Sequence, residues 1–72
     1  MKALPLTQEE KQYVAKIGGY IRAVRQQFGM TKEGMARILN VDVETITALE
    51  NGEGNPAQAT RLYLKVKQLR QR

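Results

Sequence analysis

The spacing of its apolar residues constrains this chain most, because it follows the repeat of an α-helix. One run of apolar residues lies at successive intervals of 3, 4, 3 and 4 positions: Val14, Ile17, Ile21, Val24 and Phe28. Such intervals place side chains on one side of a helix, and we expect all five in the core. No stretch of the sequence alternates apolar and polar residues as a half-buried strand does. The sequence therefore predicts an all-α fold of four to five helices.

Residues that cap helices set the expected ends of each one. Thr7 and Glu10 form a capping-box pattern, so the first helix should begin directly after Thr7. The adjacent Gly18 and Gly19 imply either a bend or a close packing contact, and we favour one long helix that ends at Gly29. Three further helices are expected at residues 32–39, 43–50 and about 57–69, with Thr31 and Asp42 as N-caps and with Asn40 and Asn51-Gly52 as stops.

The later helices also have apolar sides that we expect to be buried. These residues are Met35, Ile38 and Leu39 in the second helix, Ile46 and Leu49 in the third, and Ala59, Leu62, Val66 and Leu69 in the fourth. Each of the tyrosines Tyr13, Tyr20 and Tyr63 should cover an edge of the core and keep its hydroxyl in water.

Cysteine and histidine are both absent from the 72 residues. The sequence therefore lacks disulfides, the usual zinc ligands and the usual general base. We expect no metal, no cofactor and no catalytic role for so short a chain. No apolar run approaches the roughly twenty residues that span a bilayer. The first seven residues lack the apolar stretch of a signal peptide, so the expected compartment is the cytoplasm.

The charge of the chain is positive and uneven. Twelve Lys and Arg residues outnumber seven Asp and Glu residues, which gives a net charge of +5. Such a surplus favours polyanionic partners such as nucleic acid, although it also suits ordinary solubility. Residues 57–72 carry five basic and no acidic side chains, whereas residues 31–52 carry two basic and four acidic ones.

Residues 31–52 meet the steric demands of two short helices joined by a tight turn. Ala36 supplies a small side chain where the helices cross, Asn40 tolerates a positive φ, and Val41 can insert into the core. Ile46 and Leu49 should anchor the second of these helices from below. Its opposite side then faces outward and can enter a DNA major groove, which is about 12 Å wide.

Several spaced patterns in the chain agree with one known family. They are Ile17-Gly18-x-x-Ile21-Arg22-x-x-Arg25, Gly29-Met30-Thr31-Lys32-x-x-Met35-Ala36, Val41-Asp42-x-x-Thr45-Ile46-x-x-Leu49-Glu50-Asn51-Gly52 and Pro56. With these residues the chain resembles the Xre/Cro family of phage repressors from about residue 17 to residue 69. The resemblance implies a lambda-repressor-like domain with a helix-turn-helix at residues 31–52, acting as a DNA-binding transcriptional regulator.

The resemblance also implies roles for individual residues. Arg25 would pair with Glu50 in a structural ion pair that is at least partly buried. Phosphate groups of double-stranded DNA would be met by Thr31, Lys32 and Asn51. From its charge we add Arg22, with further attraction from Lys16 and the basic last helix. Bases would be faced by Val43, Glu44, Thr47 and Ala48. Lys32 stands where the family usually has Gln, and its charge suits a phosphate contact.

The residues expected to face bases depart from the family pattern. Bidentate readers of guanine and adenine are Arg, Lys, Asn and Gln, and none of these occupies the four outward positions. Glu44 can accept a hydrogen bond from a cytosine amino group, Thr47 can bond to a base or a phosphate, and the apolar side chains can touch thymine methyls. Asp42 is expected to be used for capping, which leaves Glu44 as the acidic group near phosphates.

The 72 residues are expected to form one domain, with a flexible arm at residues 1–6 and a helical extension at residues 7–16. Many relatives dimerise through a fifth helix, and here we expect the extension instead to pack on the core or to form a two-fold interface in a homodimer. Two other functions remain open. One is an antitoxin that binds a toxin as well as its operator, and the other is a protein-interaction module that keeps the fold without binding DNA.

Overall fold

The computed structural model describes residues 6–71, which form four α-helices and no strand. The helices are α1 (Gln8–Gln27), α2 (Lys32–Leu39), α3 (Val43–Glu50) and α4 (Pro56–Arg70). The all-α prediction is thus confirmed. The arm predicted at residues 1–6 lies outside the described residues except for Leu6. Among the helices of this described part, none is both long and apolar enough to cross a bilayer.

Local hydrogen bonds fix both ends of α1. The Thr7 hydroxyl accepts from the Glu10 N–H at 3.1 Å, and the Thr7 N–H donates to the Glu10 carboxylate at 2.9 Å, which completes the predicted capping box. At the other end Gly29 has a φ of 67°, and the Met30 N–H donates to the Arg25 carbonyl at 2.8 Å. Glycine suits this position because it adopts positive φ without steric cost.

The shorter helices begin and end at similar signals. The Thr31 hydroxyl accepts from the Gly34 N–H at 3.0 Å, and Asn40 ends α2 in the left-handed region with φ 58° and ψ 48°. The Asn55 side chain accepts from the Gln58 N–H at 3.0 Å, and Pro56 occupies the first turn of α4. Asn before Pro is a strong helix start, and it places α4 one residue earlier than the apolar pattern predicts.

All four helices contribute to one core. Its buried residues are Val14, Ile17, Ile21, Val24, Met35, Ala36, Leu39, Ile46, Leu49, Ala59, Leu62 and Val66. α1 packs along both α3 and α4, while α2 packs mainly on α3 and touches α4 over a small area. The core therefore holds α3 between α1 and α2.

Two predicted core residues are largely exposed, and a third packs against the core without being fully buried. Phe28 is 53% exposed because α1 ends at Gln27, and the adjoining core is filled by Met30 and by Met35, which is fully buried. Ile38 is 49% exposed because α2 turns Met35 and Leu39 inward and meets α4 over too small an area to cover Ile38. Leu69 is only partly buried near the end of α4.

The tyrosines connect α1 with α4. Tyr20 and Tyr63 are partly buried against the core, with ring centroids 5.0 Å apart and planes at 59°. The Arg70 guanidinium lies 5.9 Å from the centre of the Tyr20 ring. Tyr13 is more exposed, and its hydroxyl hydrogen-bonds to Thr60 instead of meeting only water as predicted.

Candidate nucleic-acid interface

α3 is anchored through one side only. Ile46 and Leu49 are fully buried, whereas Glu44 on the opposite side is exposed. Val41, in the turn before α3, is partly buried against the core, and its N–H donates to the Ala36 carbonyl at 2.9 Å. The turn thus fixes the angle between α2 and α3, and Glu44 on the outer side of α3 is left exposed.

Gly18 allows the end of α3 to lie directly on the backbone of α1. A Cβ at Gly18 would overlap the Leu49 carbonyl oxygen and would reach within 3.0 Å of the Glu50 Cα. A Cβ at the neighbouring Gly19 would meet no heavy atom of the described residues within 4 Å. The two glycines therefore mark a close contact in a continuous helix, and only Gly18 makes it.

An ion pair between Arg25 and Glu50 holds the same end of α3. The Arg25 Nε donates to one Glu50 carboxylate oxygen at 3.0 Å, and its Nη2 donates to the other at 3.3 Å. The Arg25 Nη1 donates to the Met30 carbonyl at 3.0 Å. The side chains are only 14% and 6% exposed, so the pair is largely removed from water. Arg25 thus joins α1, the loop after it and the last residue of α3.

The four residues expected to face bases are not equally accessible. Glu44 is exposed, whereas Thr47 and Ala48 are partly buried. Val43 is also partly buried and packs against the core, so much of its surface is already used. Asp42 precedes α3 as its N-cap residue, but its carboxylate caps no backbone N–H of the described residues. This differs from the capping expected for Asp42 and leaves a second acidic group at the start of α3.

The residues expected to meet phosphates lie at the start of α2, on α1 and in the loop after α3. Thr31 is exposed and Lys32 is partly exposed at the first turn of α2. The Thr31 hydroxyl oxygen accepts the capping hydrogen bond from the Gly34 N–H, so its O–H can still donate a hydrogen bond. Asn51 is exposed and lies seven positions after Glu44, which places it on the outer side of α3. Arg22 is exposed on α1.

A groove of about 540 Å³ separates the first turns of α1 from the loop that follows α3. Its lining residues are Leu6, Gln8, Lys11, Gln12, Ala15, Asn51, Gly52 and Glu53. Sequence reasoning did not assign Lys11 to this surface, since nothing local to it indicates contact with residues forty positions away. Lys16 lies elsewhere, in a pocket with Tyr13 and Tyr63 between α1 and α4. The groove adds one basic side chain beside Asn51, and the acidic Glu53 opposes it.

Comparison with known proteins gives one family match. A helix-turn-helix family model matches residues 21–60, which is more than half of the chain. The match includes Arg25, all of α2 and α3, and the start of α4. The curated proteins yielded no match, and neither did the solved structures.

Proposed function

Since this chain belongs to the phage-repressor-like (Xre/Cro) helix-turn-helix family, we propose that it is a transcriptional regulator that places α3 in the DNA major groove. Domains of this family bind DNA and are not typically enzymes. The regulatory role, the cytoplasm as its compartment and the pairing of two copies are parts of this proposal. The observation that carries it is the geometry of α3, which is held on one side by the core and exposes Glu44 on the other.

The braced position of α3 supports base contact through its outer side. Glu44 is the most accessible of the expected readers and can accept a hydrogen bond from a cytosine amino group. Thr47 can bond to a base edge, and the Ala48 methyl can pack on a thymine methyl. Val43 contributes less, because it already packs against the core. Such a set specifies few bases, so phosphate contacts must supply most of the affinity.

Phosphate contacts are assigned to two surfaces that flank α3. The first turn of α2 offers backbone N–H groups, the Thr31 hydroxyl and the Lys32 ammonium. The second surface contains Asn51, with Lys11 across the adjoining groove. We place Arg22, which is exposed on α1, with these contacts. The basic side chains of α4 act mainly through long-range attraction in this proposal.

A salt titration of DNA affinity tests the phosphate assignment. Replacing Lys32 with alanine should weaken binding to all sequences alike and reduce the slope of log K against log salt by about one. Lys65→Ala is the matched control, because Lys65 is an exposed lysine of α4 that lines the groove beside Ile38 of α2. It should change the slope by much less. Equal effects of the two substitutions would contradict the assignment, and a wild-type affinity independent of salt would contradict phosphate contacts as the main source of affinity.

A role as a protein-interaction module is the second candidate, and the acidic start of α3 favours it. Glu44 is exposed, and Asp42, whose carboxylate does not cap α3, lies two residues before it. Both carboxylates would approach phosphates if α3 entered the groove. In this case Glu44→Gln should leave the affinity for random DNA low and unchanged. Under the proposed function the same substitution removes a repulsive charge, and non-specific affinity should rise.

A further inference from the structure

Two of the most exposed large apolar side chains of the described residues occur on neighbouring helices. Leu64 of α4 is 52% exposed and Tyr13 of α1 is 44% exposed. The Tyr13 hydroxyl bonds to Thr60, which lies one helical turn before Leu64, so the two apolar side chains belong to one surface. We call this surface the α1–α4 face and define it by Glu9, Tyr13 and Lys16 of α1 and by Thr60, Leu64 and Lys67 of α4.

The α1–α4 face contains a projecting side chain, that of Leu64, next to a pocket. A pocket of about 310 Å³ is lined by Tyr13, Lys16, Ile17 and Tyr63, and Leu64 follows directly after Tyr63 in α4. A two-fold axis through such a face sets the projection of each copy against the pocket of the other, which is the requirement for a self-complementary interface. The rings of Tyr13 and Tyr63 and the aliphatic Ile17 offer Leu64 apolar contacts, and Lys16 completes the lining of the pocket.

The two ends of the face carry opposite charges, Glu9 and Lys67, and this pair favours a second copy that runs in the opposite direction. α1 and α4 run in the same direction, because Tyr13 contacts Thr60 whereas Tyr20, two turns later, contacts Tyr63 and Arg70. Glu9 therefore lies at one end of the face and Lys67 at the other. A two-fold axis perpendicular to the helices reverses the direction of the partner, so that Glu9 of each copy approaches Lys67 of the other.

We propose that two copies of this chain pair through the α1–α4 face, with Leu64 of each inserted between Tyr13 and Tyr63 of its partner. This proposal rests on the pairing of two copies in the proposed function, and it names the surface through which they pair. α3 meets α1 on a different side, through Gly18 and Arg25, so pairing leaves the outer side of α3 open in both copies. An interface on residues 7–16 was expected from the sequence, and the proposed interface adds residues of α4 to it.

Sedimentation equilibrium of the full chain without DNA tests the inference. Wild-type protein should change from monomer to dimer between low and high micromolar concentration. Leu64→Glu should weaken the dimer at least about tenfold, because the apolar contact is lost twice in a symmetric pair. Ile38→Glu is the matched control, since Ile38 is 49% exposed on α2, outside the face. The inference is overturned if wild type stays monomeric, or if both variants dimerise alike.

A charge exchange gives a second test that does not depend on the apolar contact. Glu9→Lys and Lys67→Glu should each weaken the dimer by about threefold to fivefold, and the double variant should recover most of the loss. Both substitutions reverse a charge that suits its helix end, so at a concentration where the chain is monomeric circular dichroism should show full helicity and only a slightly lower melting temperature. A double variant weaker than either single one overturns the proposed arrangement. Because these measurements use no DNA, a negative result leaves the groove-binding proposal to be judged by its own salt titration.

Discussion

At Gly18 the end of α3 lies directly against the backbone of α1. The absence of a side chain lets the Leu49 carbonyl and the Glu50 Cα lie on the α1 backbone. That contact sets how far α3 sinks into the molecule and hence how far its outer side protrudes. A larger residue would push the end of α3 away and would also disturb the Arg25–Glu50 pair, which bridges the same two helices.

Adjacent glycines in α1 should therefore respond in opposite ways to alanine. Gly18→Ala should lower the free energy of unfolding by about 3 kcal/mol or more, because its Cβ would overlap backbone atoms that cannot move independently. Gly19→Ala should raise it by roughly 1 kcal/mol, since alanine favours the helix and the space is open. Urea denaturation of both variants measures the difference, and equal effects would refute the close contact.

Removal of Glu50 should be more damaging than removal of an exposed carboxylate nearby. Glu50→Ala leaves Arg25 largely buried without its partner and should cost about 3 kcal/mol of folding free energy. Glu53→Ala is the control, because Glu53 is exposed, and should change stability by about 0.5 kcal/mol or less. A double variant lacking both Arg25 and Glu50 should be less destabilised than the sum of the single losses. Additive losses would show that the two side chains act separately.

At the scale of elements, α3 is short and depends on its neighbours. Eight residues in isolation form too few hydrogen bonds to stay helical, so the contacts of Ile46 and Leu49 with the core keep α3 folded. Glu44 on the outer side of α3 is exposed and does not contribute to the core. Substitutions on this side should change recognition without changing the fold.

Replacing Thr47 or Glu44 should alter which DNA sequences are preferred. Each lost or changed base contact should shift the ranking of duplexes that differ at one position, by about 1–3 kcal/mol per pair. Thr47→Ser, which keeps the hydroxyl, should retain the ranking better than Thr47→Val, which removes it. Fluorescence anisotropy on a panel of single-base variants of a bound duplex gives the ranking. If neither Thr47→Val nor Glu44→Gln changes the ranking, α3 does not recognise bases through these side chains.

The helices could be predicted from the sequence wherever local signals decide them. The caps at Thr7 and Thr31 and the left-handed Asn40 depend on residues within a turn, and the structure confirms them. Ile38 and Phe28 were predicted wrongly because their burial depends on how much surface α4 and the loop cover, which no local pattern specifies.

Part of the candidate site was similarly accessible from the sequence. The family resemblance suggested Arg25 and Glu50 as partners, and the structure places them in contact across 25 positions. By contrast, Lys11 beside Asn51 and Leu64 beside Tyr63 and Tyr13 depend on how α1 lies against the loop and against α4. Helical periodicity shows which residues share a side of one helix, but it does not give the register between two helices.

At the scale of the whole molecule, the two proposed surfaces lie on different sides of α1. One copy presents α3 and its flanking phosphate contacts, and the α1–α4 face offers the contact to a second copy. A dimer that binds two half-sites needs its α3 helices about 34 Å apart, one turn of DNA, or a multiple of that distance. A dimer would double the number of base contacts, which matters because each α3 has few side chains able to recognise bases.

Selection of bound duplexes from a random DNA pool, at a low and a moderate salt concentration, decides whether α3 reads bases in the major groove. One short motif should be enriched at both concentrations and more sharply at the higher one, because salt weakens phosphate contacts more than base contacts. Enrichment of no motif at either concentration, in a pool that the protein demonstrably retains at low salt, would contradict the claim that α3 reads the major groove.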